Sequence, residues 1–177
     1  MALAVAGCGS DDKKEPDTAS SPHSTADKGK SPEGTPADEQ PDPSVKLAEL
    51  MGPKGILFTI NSVERNSGGF VTVSGQIRNE GSSLFTERQP WKGNETEILR
   101  GSGNSVGGAT LTDQVGKKRY YVLRDTDGRC LCSSGINPIK PGETIPVFMQ
   151  FPAPPEGTEE VDFFLPTFPT AKLKISG

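Results

Sequence analysis

Hydrophobic and polar positions alternate along most of the chain after Pro43. In "GILFTINSV", Ile56, Phe58 and Ile60 fall on one face. In "GFVTVSGQI", Val71, Val73 and Ile77 share a face, with Thr72, Ser74 and Gln76 on the other. Period-two alternation of this kind predicts half-buried strands. The Gly-rich "RNSGG" between the two predicts a hairpin loop. "ATLTDQ" and "RYYVLR" flank "VGKK", a second hairpin. "ETIPVFMQF" turns Ile145, Val147, Met149 and Phe151 inward, and Pro146 within it, lacking an N–H, points to an edge strand. "EEVDFFLP" places Val161, Phe163 and Leu165 together, and "AKLKIS" places Leu173 and Ile175. "KPGE" is a turn in which Pro141 presets φ and Gly142 is free to go positive. One short stretch, Pro43 to Gly52, spaces Leu47, Leu50 and Met51 for one or two helical turns. The polar insert Glu87 to Gly108 reads as an irregular excursion, with a strand near Ile98 and Leu99. About eight short strands at intervals of about 8–12 residues predict an all-β antiparallel sandwich over residues 45–177.

Residues 9–44 break this pattern. From Gly9 to Pro43 there is no Val, Ile, Leu, Met or aromatic residue. Such a segment cannot bury enough apolar surface to offset its ordering entropy, so a disordered stalk is expected. It carries nine acids against four lysines, a charge of −5; the whole chain is −4, which leaves the remainder near +1. The acidity therefore belongs to the tail. No basic field points to nucleic acid. A flexible chain of this length spans roughly 30–35 Å r.m.s..

Residues 1–8, "MALAVAGC", form a short run of small apolar residues ending in Val5-Ala6-Gly7-Cys8. This resembles the end of a bacterial lipoprotein signal peptide, cut before the cysteine that then carries lipid. A complete signal has a basic leader and a longer apolar region. Only seven residues precede Cys8 and none is Lys or Arg, so a start placed too late or a trimmed leader is expected. The resemblance implies an extracytoplasmic domain held on the cell membrane through lipid on Cys8.

Candidate chemistry is sparse. The only histidine, His23, lies in the tail, so no Ser-His-Asp or Cys-His scheme fits residues 45–177. Glu159, Glu160 and Asp162 are acids by type, and their place at a strand start reads as solvated charge. No enzyme activity, metal or cofactor is expected. "DTDG", Asp125 to Gly128, departs from a calcium loop, which wants a Glu where Ser134 stands, and reads as a hairpin turn. Lys117, Lys118 and Arg119 form a small basic cluster, suited either to an anionic partner such as lipid head groups or wall polymer, or to guarding a sheet edge. Trp91, the single tryptophan, is either a ligand platform or a cap on the core, and its loop is the first expectation for a binding edge.

Two cysteines remain, Cys130 and Cys132 in "RDTDGRCLCSSG". Outside the cytosol thiols tend to pair. Residues two apart on a regular strand have Cα atoms about 6.6–6.8 Å apart, the upper edge of the disulfide range. A mutual bridge therefore needs a departure from strand geometry at Leu131. A structural bridge between Cys130 and Cys132 is expected, with two free buried thiols and a redox pair as the alternatives.

"VTVSGQIRNEGSS" and "IKPGETIPVFMQFPAPPEGTEEVDFFLP" resemble the strand pairs of immunoglobulin-like domains in secreted actinobacterial lipoproteins, and more distantly the mycobacterial secreted immunogenic antigens. The shared features are a strand ending "N-x-G", here Asn79 and Gly81, and a later "PGE", here Pro141, Gly142 and Glu143. "YYVLRDTDGRCLCS" resembles actinobacterial envelope lipoproteins more closely. The resemblance runs from about Lys54 to Ser176. It implies an immunoglobulin-like sandwich in the cell envelope and brings no catalytic residues. Binding to an envelope protein or wall polymer follows as the expected role, with an accessory subunit of an envelope complex, a small-ligand binder and a thiol-redox protein as alternatives.

Overall fold

A computed structural model describes residues 42–93 and 103–177. Cys8, most of the expected stalk and the strand expected near Ile98 and Leu99 lie outside the described residues. Among the described residues, eight strands form two antiparallel sheets of four. They are β1 (Ala48–Met51), β2 (Ile56–Asn66), β3 (Phe70–Asn79), β4 (Thr110–Asp113), β5 (Lys118–Tyr121), β6 (Thr144–Pro152), β7 (Glu160–Phe164) and β8 (Ala171–Lys174). The first sheet has the order β1-β2-β3-β6 and the second β5-β4-β7-β8. The chain crosses between sheets after β3, after β5 and again after β6.

The alternating positions do what their pattern requires. Phe58, Ile60, Val71, Val73, Ile77, Met149 and Phe151 line the inner face of the first sheet and are buried. Leu111, Val161, Phe163 and Leu173 face them from the second. Phe58 meets Phe163 edge to face across the gap, with centroids 5.8 Å apart.

One irregularity in β2 keeps this core continuous. On a regular strand Ile60 and Val63 would face opposite ways. A bulge between Ile60 and Ser62 shifts the register, and both side chains are buried. Gly75 lies opposite Ile60. A Cβ there would sit 2.2 Å from the Thr59 carbonyl oxygen, so the approach of the two backbones requires glycine. The bulged residue, Asn61, is buried, and its Nδ2 donates to the Val45 carbonyl at 2.5 Å and the Pro43 carbonyl at 3.4 Å. The start of the domain is thereby clamped to β2.

The helical turns expected between Pro43 and Gly52 are not formed. Residues 48–51 are β1, paired antiparallel with β2 from Ala48↔Ile60 to Met51↔Leu57. Leu47 and Met51 are exposed and only Leu50 is buried. A short helix would have left the outer backbone edge of β2 without partners; extended pairing satisfies it. Pro146 sits in β6, the terminal strand of its sheet.

Candidate functional site

Trp91 is held by a short 3-10 turn, Gln89–Lys92, that aims the indole inward. The ring is fully buried, stacked on Phe85 at 5.5 Å and tilted against Phe168 at 5.8 Å. Its Nε1–H donates to Thr167 Oγ1 at 3.0 Å. Thr167 occupies the third position of a turn closed by Phe168 N–H to the Leu165 carbonyl. Its φ of 78° is unusual for a β-branched residue. Trp91 therefore caps the core and offers no platform to a ligand. Of the two places the sequence left open for the ring, the core cap is the one it takes, and residues 94–102 of its loop lie outside the described residues.

The basic cluster lies at the far end of β4 from Trp91. The β4–β5 turn is built on Asp113, which is 2% exposed. Its Oδ1 accepts from Val115 N–H at 2.9 Å and Gly116 N–H at 2.8 Å, and its Oδ2 from the Thr158 hydroxyl at 3.0 Å. The Gly116 hydrogen bond, helped by Thr158, Val115 and the nearby Lys118 charge, holds the carboxyl below the usual range against the opposing effect of burial. Lys117 takes a positive φ of 51° in the turn. Lys117, Lys118 and Arg119 are all exposed. The structure thus separates the two parts of the expected binding loop.

In "RDTDGRCLCSSG" the hairpin turn closes on itself. Asp125 Oδ1 accepts from the backbone of Asp127 at 3.0 Å and Arg129 at 2.8 Å. The Arg129 guanidinium reaches both carboxylates, at 2.9 Å to Asp125 and 2.8 Å to Asp127. These acids are occupied within the turn, and among the described residues no group of three or more metal-ligating side chains comes together. The Sγ atoms of Cys130 and Cys132 are 2.07 Å apart, at disulfide distance, and the Cα atoms 5.2 Å apart. That Cα separation is well under the roughly 6.6–6.8 Å of two strand steps, because the chain bends at Leu131.

The bend lets one short segment serve two neighbours. Leu131 N–H donates to the Leu123 carbonyl at 2.7 Å, and its carbonyl accepts from Gln150 N–H at 3.0 Å. Cys132 bridges to Met149, and Ser133 N–H donates to the Phe148 carbonyl at 3.0 Å. The segment thereby covers the outer edge of β6. Cys132 is buried and Cys130 half-buried. Leu131 and Phe148 remain 37% and 43% exposed.

Sequence reasoning missed the outer face of the second sheet. Thr110 lies directly opposite both Tyr121 on β5 and Phe164 on β7. Cross-strand partners point to the same side, so the two rings flank Thr110. Tyr121 is 58% exposed and Phe164 41%. The next row along the face is Arg119, Thr112, Asp162 and Lys172. Asp162 pairs with Lys172 at 3.6 Å and accepts from Gln114 at 2.5 Å. The alternation of β4 and β7 held the signal, since the residues between the buried ones must share the other face.

A depression of about 520 Å³ lies near the β2–β3 hairpin, between Arg65, Gly69, Pro154 and Pro155. The Arg65 guanidinium is spent on the backbone there, donating to the carbonyls of Pro154 at 2.6 Å, Pro155 at 3.3 Å and Thr158 at 3.4 Å. No protein-family model matches the chain, and no curated protein or solved structure matches it significantly.

Proposed function

We propose that the chain is a lipid-anchored lipoprotein of the bacterial cell envelope that presents an immunoglobulin-like domain as a binding module. The observation that carries this reading is the junction at Asn61. Where the acidic, Pro- and Ser-rich sequence behind the Cys8 motif ends, the buried Asn61 side chain holds the Pro43 and Val45 carbonyls against β2. A tail of that composition followed by a clamped sandwich suits a tethered, outward-facing module. The strand orders support the immunoglobulin-like part. β2-β3-β6 corresponds to A-B-E, and β5-β4-β7-β8 to C′-C-F-G. The segment Leu123–Ser133 lies beside β6 where strand D would stand. Anchorage resembles that of the actinobacterial envelope lipoproteins, with lipid on Cys8 holding the domain at the membrane.

The test is to express the full chain behind a basic leader in a lipoprotein-processing bacterium fed an alkyne fatty acid. Label on the wild type that is abolished by Cys8→Ala supports the anchor; no label on the wild type overturns it.

A second reading, an accessory subunit of an envelope complex, draws on the exposed Phe148 of β6 and the exposed Leu131 of the segment bonded to that strand's edge. Crosslinking in intact cells that depends on these two side chains would favour it.

A further inference from the structure

We infer that the outer face of the second sheet is a docking surface for an acidic polysaccharide carrying about one anionic group per disaccharide. The inference deepens the binding reading above, on which it rests for the domain's being a binding module; it does not depend on the lipid anchor.

The face carries two exposed rings in one row. Tyr121 and Phe164 stand on either side of Thr110, two strand spacings apart, which is about 10 Å. A pyranose turns a face of polarised C–H groups toward its partner, and an aromatic π-face carries the complementary negative charge. Two such rings span about a disaccharide. The adjacent row supplies the polar contacts that orient sugar hydroxyls. Thr112 offers a donor and acceptor, and Asp162 an acceptor already held in place by Lys172 and Gln114.

Charge selects the kind of chain. On this face Glu160 lies opposite Lys174 and Asp162 opposite Lys172. Arg119 is the surplus cation and has no ion-pair partner among the described residues. A planar guanidinium beside a sugar-stacking ring matches a carboxylate or phosphate substituent. A nucleic acid would also stack on the rings, but it brings a phosphate at every residue. With Asp162 and Glu160 set against Lys172 and Lys174, only Arg119 is left to meet those phosphates, too little charge for a chain so densely anionic.

The test is titration of the purified, isotope-labelled protein with hyaluronan oligosaccharides, which bear one carboxylate per disaccharide. Chitin oligosaccharides serve as the neutral comparison, with oligo(dT) and phosphatidylglycerol vesicles as the other anionic probes. The expected result is saturable shifts of the Thr110, Thr112, Arg119, Tyr121 and Phe164 amides with hyaluronan, at an affinity at least tenfold above that for chitin. Tyr121→Ala and Phe164→Ala should each weaken hyaluronan binding at least tenfold. Arg119→Gln should bring hyaluronan down to the chitin level. Phe148→Ala, on the other sheet, should leave binding unchanged, and Trp91 emission checks that every variant is folded.

Shifts confined to other surfaces, or tighter binding of oligo(dT) or vesicles through this face, overturn the inference. So does equal affinity for hyaluronan and chitin. If neither glycan binds while the domain still engages an envelope protein through another face, the glycan inference falls and the binding-module reading stands.

Discussion

Gly142 N–H donates to the Asn79 carbonyl at 2.7 Å, and Asn79 N–H donates to the carbonyl of the neighbouring Glu143 at 3.0 Å. The "N-x-G" and "PGE" features are therefore two halves of one joint. The Asn79 side chain completes it. Nδ2 donates to the Ser83 and Ile139 carbonyls, both at 2.8 Å, and Oδ1 accepts from Gly81 N–H at 2.9 Å. Asn79 is fully buried, so its own amide nitrogen and oxygen would otherwise lie unpaired away from water.

Asn79→Ala and Asn79→Asp should each lower stability by about 2–3 kcal/mol, because neither side chain can donate to the two carbonyls. Gly142→Ala should cost only about 1–2 kcal/mol. A Cβ at Gly142 meets nothing within 4 Å, and the penalty is confined to its left-handed φ of 77°. Urea midpoints of the three variants check the ranking.

Trp91 makes a spectroscopic prediction. As the only tryptophan, and a fully buried one, it should emit at short wavelength and resist iodide quenching until the domain unfolds. Trp91→Ala should destabilise by about 3–5 kcal/mol through the cavity among Phe85, Phe168 and its neighbours. Ready iodide quenching of the folded protein would contradict the core-cap geometry.

The Cys130–Cys132 pair closes a very small ring. Reducing it or replacing both residues with serine should therefore cost only about 1–2 kcal/mol on the loop-entropy estimate. Intact mass of the protein secreted into an oxidising compartment should be lower by a pair of hydrogens. Thiol reagents that label both cysteines in the untreated folded protein would oppose a bridge.

Asp113 should make the domain acid-sensitive. Its folded pKa lies below the ordinary value, chiefly through the Gly116 hydrogen bond. The unfolded state then binds the proton more readily. The stabilisation is present above the ordinary aspartate range near pH 4 and is lost as pH falls through the folded pKa. Urea midpoints should drop in that acid window. Asp113→Asn keeps an oxygen for Val115 and Gly116, and its profile should be flatter there. Asp125, held low first by the Arg129 backbone hydrogen bond, contributes in the same direction.

Most strands were legible because each has one buried and one solvated face, which writes alternation into the sequence. β1 was not. Leu47, Leu50 and Met51 fit a helical stripe, and the outcome was decided by the open edge of β2, a tertiary fact. Trp91 was ambiguous for the same reason, since its burial depends on Phe85, Phe168 and Thr167 from other parts of the chain. Asn79 and Gly142 were visible as turn residues, but not as partners. Tyr121 and Phe164 became a pair only through their common register with Thr110. The bend at Leu131 was legible on one condition, a Cys130–Cys132 bridge, because two strand steps set the Cα atoms at the upper edge of the disulfide range.

The Asn61 clamp also has a mechanical meaning. A pull arriving through the N-terminal segment meets that side chain first, then the Leu47 N–H bond to the Ile60 carbonyl and β1, which is four residues long against eleven in β2. Under load these contacts should give first. Releasing β1 would add its length to the segment ahead of β2 while the β2–β3–β6 ladder, and the second sheet behind it, stay intact.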